Sequence, residues 1–170
     1  MLRLSGSFRF PSRENGPLYG THRSRYANGM VEARAFDDSV LMQLRQAAIE
    51  AAQHAYAPYS SFRVGAALLL DNGSIVSGCN VENASFGLTI CAERSAMVQA
   101  ITQFGTAIRL KAVLVTNLNQ SASSPCGACR QFLAEFAPPE TPVYFPDDHG
   151  ETVQSISSLL PFGFSRASLR

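Results

Sequence analysis

Apolar residues recur along this chain in two periods, and the alternation between them lays out the elements in order. Val40, Leu41, Leu44, Ala47, Ala48 and Ala51 form a 3.6-residue stripe behind Asp37 and Asp38, which predicts an amphipathic helix capped by one of those aspartates and ended before Pro58. A continuous apolar run from Val64 to Leu70, the turn Asp71-Asn72-Gly73, and a second run from Ile75 to Cys79 predict a hairpin. Thr89 or its neighbours open a second helix, whose apolar positions are Ala92, Ala96, Met97, Ala100, Ile101 and Phe104, ahead of Gly105. Ala112 to Thr116 reads as a short buried strand. Pro125 then stands at the start of a helix through Cys126, Cys129, Phe132, Leu133 and Phe136 that stops at Pro138-Pro139. Val143 to Phe145 makes another strand, Asp147 to Gly150 a turn, and Ile156 to Leu160 a last short helix. This order predicts an α/β fold: a three-layer α-β-α sandwich around one mixed, roughly five-stranded sheet.

Residues 1–37 show neither period. Ser, Gly, Pro and Arg interrupt isolated apolar residues, so this stretch has little surface to bury and is expected to be a disordered or loosely packed arm, with residues 38–170 as the folded domain. Its arginine-rich, acid-poor composition also suits an organellar transit peptide. A further expectation is that translation begins at Met30, because everything the core needs follows it.

With 170 residues, 46% of them hydrophobic, the chain fills one core and implies a single domain. No apolar stretch approaches the ~20 residues that span a bilayer, and the start lacks the apolar core of a secretory signal, so neither a membrane nor an exported location is expected. A cytoplasmic protein follows. Net charge is +1, and residues 1–29 hold five arginines (Arg3, Arg9, Arg13, Arg23, Arg25) against Glu14 alone, which leaves the remainder mildly acidic. Nucleic-acid binding needs clustered cations, so that class of partner is excluded.

The candidate chemistry lies in Cys91-Ala92-Glu93 and Pro125-Cys126-Gly127-Ala128-Cys129. Three thiolates at this spacing can occupy three corners of a tetrahedral zinc and leave the fourth for water, as a catalytic metal requires. Glu93, two residues beyond the first ligand, is placed to reach that water and shuttle its proton. The Cys-x-x-Cys also fits a structural zinc site completed by His54, His149 or Cys79, and a glutamate alone also fits a solvated helix surface. Three thiolates over-neutralise Zn²⁺, and Arg94 and Arg130 stand beside the ligands to offset the surplus. Arg94 is the preferred zinc-charge tuning residue. It also fits a surface arginine paired with a carboxylate. Cys79 is expected as a buried or partly buried thiol.

Taken together, Cys91-Ala92-Glu93 and Pro125 to Gln131 closely resemble the zinc-dependent nucleoside and nucleobase deaminases, and in particular the small homotetrameric cytidine deaminases with three cysteine ligands. Tyr59 to Ala67, Asn80 to Ser85 and Leu159-Leu160-Pro161 extend the resemblance from about residue 38 to about residue 165. The resemblance implies that Cys91, Cys126 and Cys129 bind one zinc and that Glu93 moves the proton. It implies that Asn80 and Glu82 hydrogen-bond the ribose, Phe62 flanks the pyrimidine, and the main chain of Ala92 and Ser124 addresses the base. Phe164, with Phe162 as the other aromatic candidate, is implied to stack on the base in a neighbouring subunit. The activity implied is hydrolytic deamination of cytidine and 2′-deoxycytidine in pyrimidine salvage, without an organic cofactor. Alternatives are a sibling deaminase of another cytosine-bearing molecule such as blasticidin S, or a non-catalytic zinc-stabilised interaction module.

Overall fold

The structure, a computed structural model, describes residues 36–169. Helix α1 (Asp38–Gln53) begins at Asp37, whose carboxylate accepts from the Ser39 N–H at 3.3 Å, and it is followed by strands β1 (Val64–Leu70) and β2 (Ile75–Cys79). Then come α2 (Ala92–Phe104), β3 (Leu110–Asn117), α3 (Gly127–Ala134), β4 (Pro142–Asp147), β5 (Gly150–Ser155) and the single turn α4 (Ile156–Leu159). The five strands lie in the order β2-β1-β3-β4-β5; only β3 and β4 run parallel.

Helices cover both faces of the sheet, which is why β1 reads as an unbroken apolar run. Ala66, Leu68 and Leu70 point into a core shared with Ala96, Met97, Leu133 and Ile156 from α2, α3 and α4. Ala67 and Leu69 point the other way, onto Leu44 and Ala48 of α1. The predicted three-layer α-β-α sandwich is present.

Two glycines set how closely those layers approach. A Cβ on Gly65 would land on the Ala48 carbonyl oxygen of α1, and one on Gly78 would land on the Ala96 backbone nitrogen of α2. Each helix therefore rests directly on strand backbone. Because Gly78 seats the first half of α2, it also locates the residues at the start of that helix.

Strand β5 has no counterpart among the strands predicted from periodicity. Glu151, Thr152 and Gln154 make it polar, as suits the edge of a sheet, so it carries no apolar alternation to detect. The predicted turn at Asp147 to Gly150 is the reversal into it, with the His149 N–H bonded to Asp147 Oδ1 at 2.8 Å. Glu151 is tied to α1 by a two-point ion pair with Arg45, at 2.6 and 3.1 Å. At the other end of the domain, Phe36 packs against the α1 cluster. Residues 1–35 of the expected arm, Met30 among them, lie outside the described residues.

Candidate active site

Cys91 and Cys126 occupy the N-cap positions of α2 and α3, and Cys129 lies in the first turn of α3. N-caps usually carry Ser, Thr, Asp or Asn, whose oxygen accepts a helix N–H. Neither cysteine makes such a bond. Their sulfurs turn instead toward each other, 3.9 Å apart, and all three Sγ atoms lie within 4.8 Å of one another. Among the described residues this is the one such cluster, and His54, His149 and Cys79 stand outside it. Cys79 is half-buried at the end of β2.

Electrostatics split the crowded thiols: the hydrogen bond with Cys91 and burial push Cys129 far up, so the three cannot all ionise without a cation among them. The hydrogen bond from Cys129 lowers the Cys91 thiol to about 5, against burial and with help from the Arg94 guanidinium. Arg94 donates from Nη2 to the Thr89 carbonyl at 2.9 Å and to Cys91 Sγ at 3.6 Å, so its partner is a ligand sulfur and not a carboxylate. Its Nε is buried without any partner, the only such side-chain atom among the described residues. Three sulfurs converging from two helix N-termini, with an unpaired guanidinium nitrogen beside them, fit a zinc held by thiolates. Arg130 spends its donors elsewhere. It bonds the Pro125 carbonyl at 2.7 Å, Ser124 Oγ at 2.9 Å and the Leu159 carbonyl at 3.1 Å, which braces the loop before α3 against α4.

Glu93, in the first turn of α2, is 4% exposed. Burial raises its pKa, and the charge of Cys91 raises it further. Its carboxyl lines a cavity of ≈ 220 Å³. Phe62, Asn80, Glu82, Cys91, Ala92, Ser124 and Cys126 line the same cavity, so residues spread over more than sixty positions of sequence meet in one place. Ser60, Val64, Thr89, Val115 and Ser123 complete the wall and were given no site role from sequence. Of these, Ser60 and Val64 carried a local signal, because they sit in the Tyr59 to Ala67 segment.

Asn80 and Glu82 organise the rim as well as facing the cavity. Asn80 Oδ1 accepts from the Val64 N–H, and its Nδ2 donates to the Phe62 carbonyl, both at 2.8 Å. Glu82 Oε2 accepts the Tyr59 N–H at 2.9 Å and the Ser60 N–H at 3.3 Å, while Oε1 takes the Ser60 hydroxyl. Those bonds hold its carboxyl below the usual range, the Ser60 hydroxyl first. An amide and a carboxylate so engaged still have unused donor and acceptor capacity toward the cavity.

Phe164 is not in this cavity. It lines a separate groove with Ala134, Glu135, Ile156 and Leu160, and is 61% exposed.

The arrangement defines a class of α/β protein: three clustered thiols at two helix N-termini, able to hold a metal, with a buried glutamate lining the same cavity as two of them. Residues 38–145 match the family model for the cytidine and deoxycytidylate deaminase zinc-binding region, and the chain belongs to that family. It is similar to a cytidine deaminase of Halalkalibacterium halodurans, 44% identical over 119 residues that make up 69% of this chain and 89% of the relative. The crystal structure of cytidine deaminase from Mycobacterium tuberculosis matches with a TM-score of 0.63 at 40% identity, over 73% of this chain and 96% of that one. That from Burkholderia pseudomallei matches with a TM-score of 0.64 at 41% identity, over 72% and 98% respectively. No helix of the described residues is long and apolar enough to cross a membrane.

Proposed function

We propose that this protein deaminates cytidine and 2′-deoxycytidine hydrolytically, with one zinc per subunit held by Cys91, Cys126 and Cys129, and that Glu93 is its acid–base residue. The observation that carries this reading is the placement of the buried Glu93 carboxyl in one cavity with the cysteine cluster. Zinc, when bound, supplies Lewis acidity that makes water nucleophilic at neutral pH. Glu93 handles the protons. Glu93 takes a proton from the attacking water and gives it to ring N3, which makes C4 electrophilic, then takes the second water proton and gives it to the departing amino group. Burial, which raises its pKa, makes the protonated form it passes through easier to reach. Water and cytidine become uridine and ammonia.

The remaining roles follow from position. Phe62 offers an aromatic wall to the pyrimidine, and the main chain of Ala92 and Ser124 addresses the base. Asn80 and Glu82 bond the sugar with the capacity their rim contacts leave free. Arg94, at 3.6 Å from Cys91 Sγ, offsets the surplus charge of three thiolates. The exposure of Phe164 and its distance from its own cavity support a role in the cavity of a neighbouring copy, within a homotetramer. Residues 38–170 serve as the catalytic domain, in the cytoplasm, within pyrimidine salvage. Loss of cytidine absorbance with purified protein tests the activity, and unchanged absorbance with a zinc-loaded protein would overturn the reading.

A further inference from the structure

Helix α3 carries, immediately after the ligand Cys129, two side chains that reach across to the end of the chain. Arg130 bonds the Leu159 carbonyl at 3.1 Å. Gln131 does something more specific. Its Nε2 donates to the Phe164 carbonyl at 2.7 Å, and its Oε1 accepts from the Phe164 N–H at 3.0 Å. One carboxamide thus satisfies both main-chain groups of one residue, 33 positions away, as a neighbouring strand would. Two bonds to the same residue fix both its position and its rotation about the chain axis, which one bond cannot do.

The segment leading to Phe164 is held as well. The Gly163 N–H bonds the Leu160 carbonyl at 3.2 Å, and a Cβ on Gly163 would come within 2.6 Å of Leu160 Cδ2. Leu160 in turn continues from α4, which is braced through Arg130. Phe164 is therefore referenced to α3 from both directions, while the residue stays 61% exposed. Phe162, 99% exposed, has no comparable tether to α3. The structure spends two hydrogen bonds on the main chain of a residue that is mostly exposed in its own subunit. That expenditure makes sense where the direction of the ring matters to another molecule.

We propose that Gln131 is a positioning residue for the reaction: it clamps the Phe164 main chain to α3, so that the ring is directed outward to close the cavity of a neighbouring copy. This rests on the role given to Phe164 above. Because the clamp and Cys129 share one short helix, the ring that serves the neighbour is fixed relative to its own subunit's metal cluster.

A double-mutant cycle on the full-length, zinc-loaded protein tests this, with KM and kcat for cytidine measured for Gln131→Ala, Phe164→Ala and the pair. Alanine favours the helix and the site is half-exposed, so α3 is kept. Loss of the clamp should raise KM about fivefold, the scale of one or two hydrogen bonds, with kcat and zinc content within about twofold. Phe164→Ala should raise KM more, about tenfold or above, as expected for a lost stacking partner. In the Phe164→Ala background, Gln131→Ala should add nothing. Gln131→Glu, which retains the acceptor but not the donor, should also raise KM. If Phe164→Ala raises KM and Gln131→Ala does not, or if the two effects add, the clamp is overturned while the Phe164 role stands. If Phe164→Ala leaves KM unchanged, that role fails and the proposal falls with it.

Discussion

Asn80 donates from Nδ2 to the main-chain carbonyl of Phe62 at 2.8 Å, so the residue assigned to the sugar also sets the height of the wall assigned to the base. The bond to the Val64 N–H secures the other side of the same turn. A nucleoside bound as proposed would meet two contacts that cannot drift independently.

Asn80→Ala should accordingly cost more than one sugar contact. Cytidine turnover at low substrate should fall by more than about tenfold, since both a ligand contact and two buried main-chain partners are lost. Free cytosine, which meets the wall but has no sugar, should lose activity by a smaller factor. Comparing kcat/KM for cytidine and cytosine checks this, and an equal loss for both would argue that only the wall had moved.

Glu93→Gln should leave zinc bound and lower kcat by about 10²- to 10⁴-fold, because an amide can neither take nor return a proton. Metal analysis alongside steady-state kinetics separates this from ligand loss. Near-parental turnover would remove Glu93 from the mechanism.

Cys126→Ala, by contrast, should lower zinc content and activity together, since it deletes one of three converging sulfurs. Chelation of the parent protein should abolish activity, and added zinc should restore it. A Cys126→Ala protein with a full complement of zinc would show that the ligands are elsewhere.

Acid should loosen the rim. Glu82 has its pKa lowered in the folded protein, so its hold on Tyr59 and Ser60 is complete above the unfolded value of about 4.3 and is lost as pH falls through the depressed folded value. Hydrogen exchange at the Tyr59 and Ser60 amides, corrected for intrinsic pH dependence, should accelerate across that window. In Glu82→Gln the step should vanish; persistence of the step would assign it to another group.

Gly78→Ala should destabilise the fold by about 1–3 kcal/mol, as expected for overpacking a site where the strand meets helix backbone. Urea unfolding of the zinc-loaded protein provides the measurement. Zinc affinity should fall too, because α2 and Cys91 shift together.

Much of this architecture was legible because its signals are local. The apolar run of β1 and the stripe of α1 are visible in any short window, and Pro125 and Gly105 mark helix ends. The metal cluster was legible for a different reason: Cys91-Ala92-Glu93 and Cys126 to Cys129 place the necessary atoms at helix starts, where the chain has little choice of direction. Strand β5 was not, since an edge strand with Glu151 and Gln154 outward has no apolar period. The Glu82 bonds to Tyr59 and Ser60 and the Gln131 bonds to Phe164 were hidden as well, because they join segments more than twenty positions apart and use residue types that are equally at home in solvent.

The placement of the sulfurs also bears on how the molecule is made. Cys91 and Cys126 are 35 positions apart, and β3, the middle strand of five, runs between them. Their helices can bring the thiols together only after β3 has paired with β1, a contact between distant parts of the chain that forms slowly. Capture of zinc by all three thiols should thus come late in folding. The rate at which refolding protein takes up metal should follow the assembly of the sheet, with the metal as the latch on a nearly finished chain.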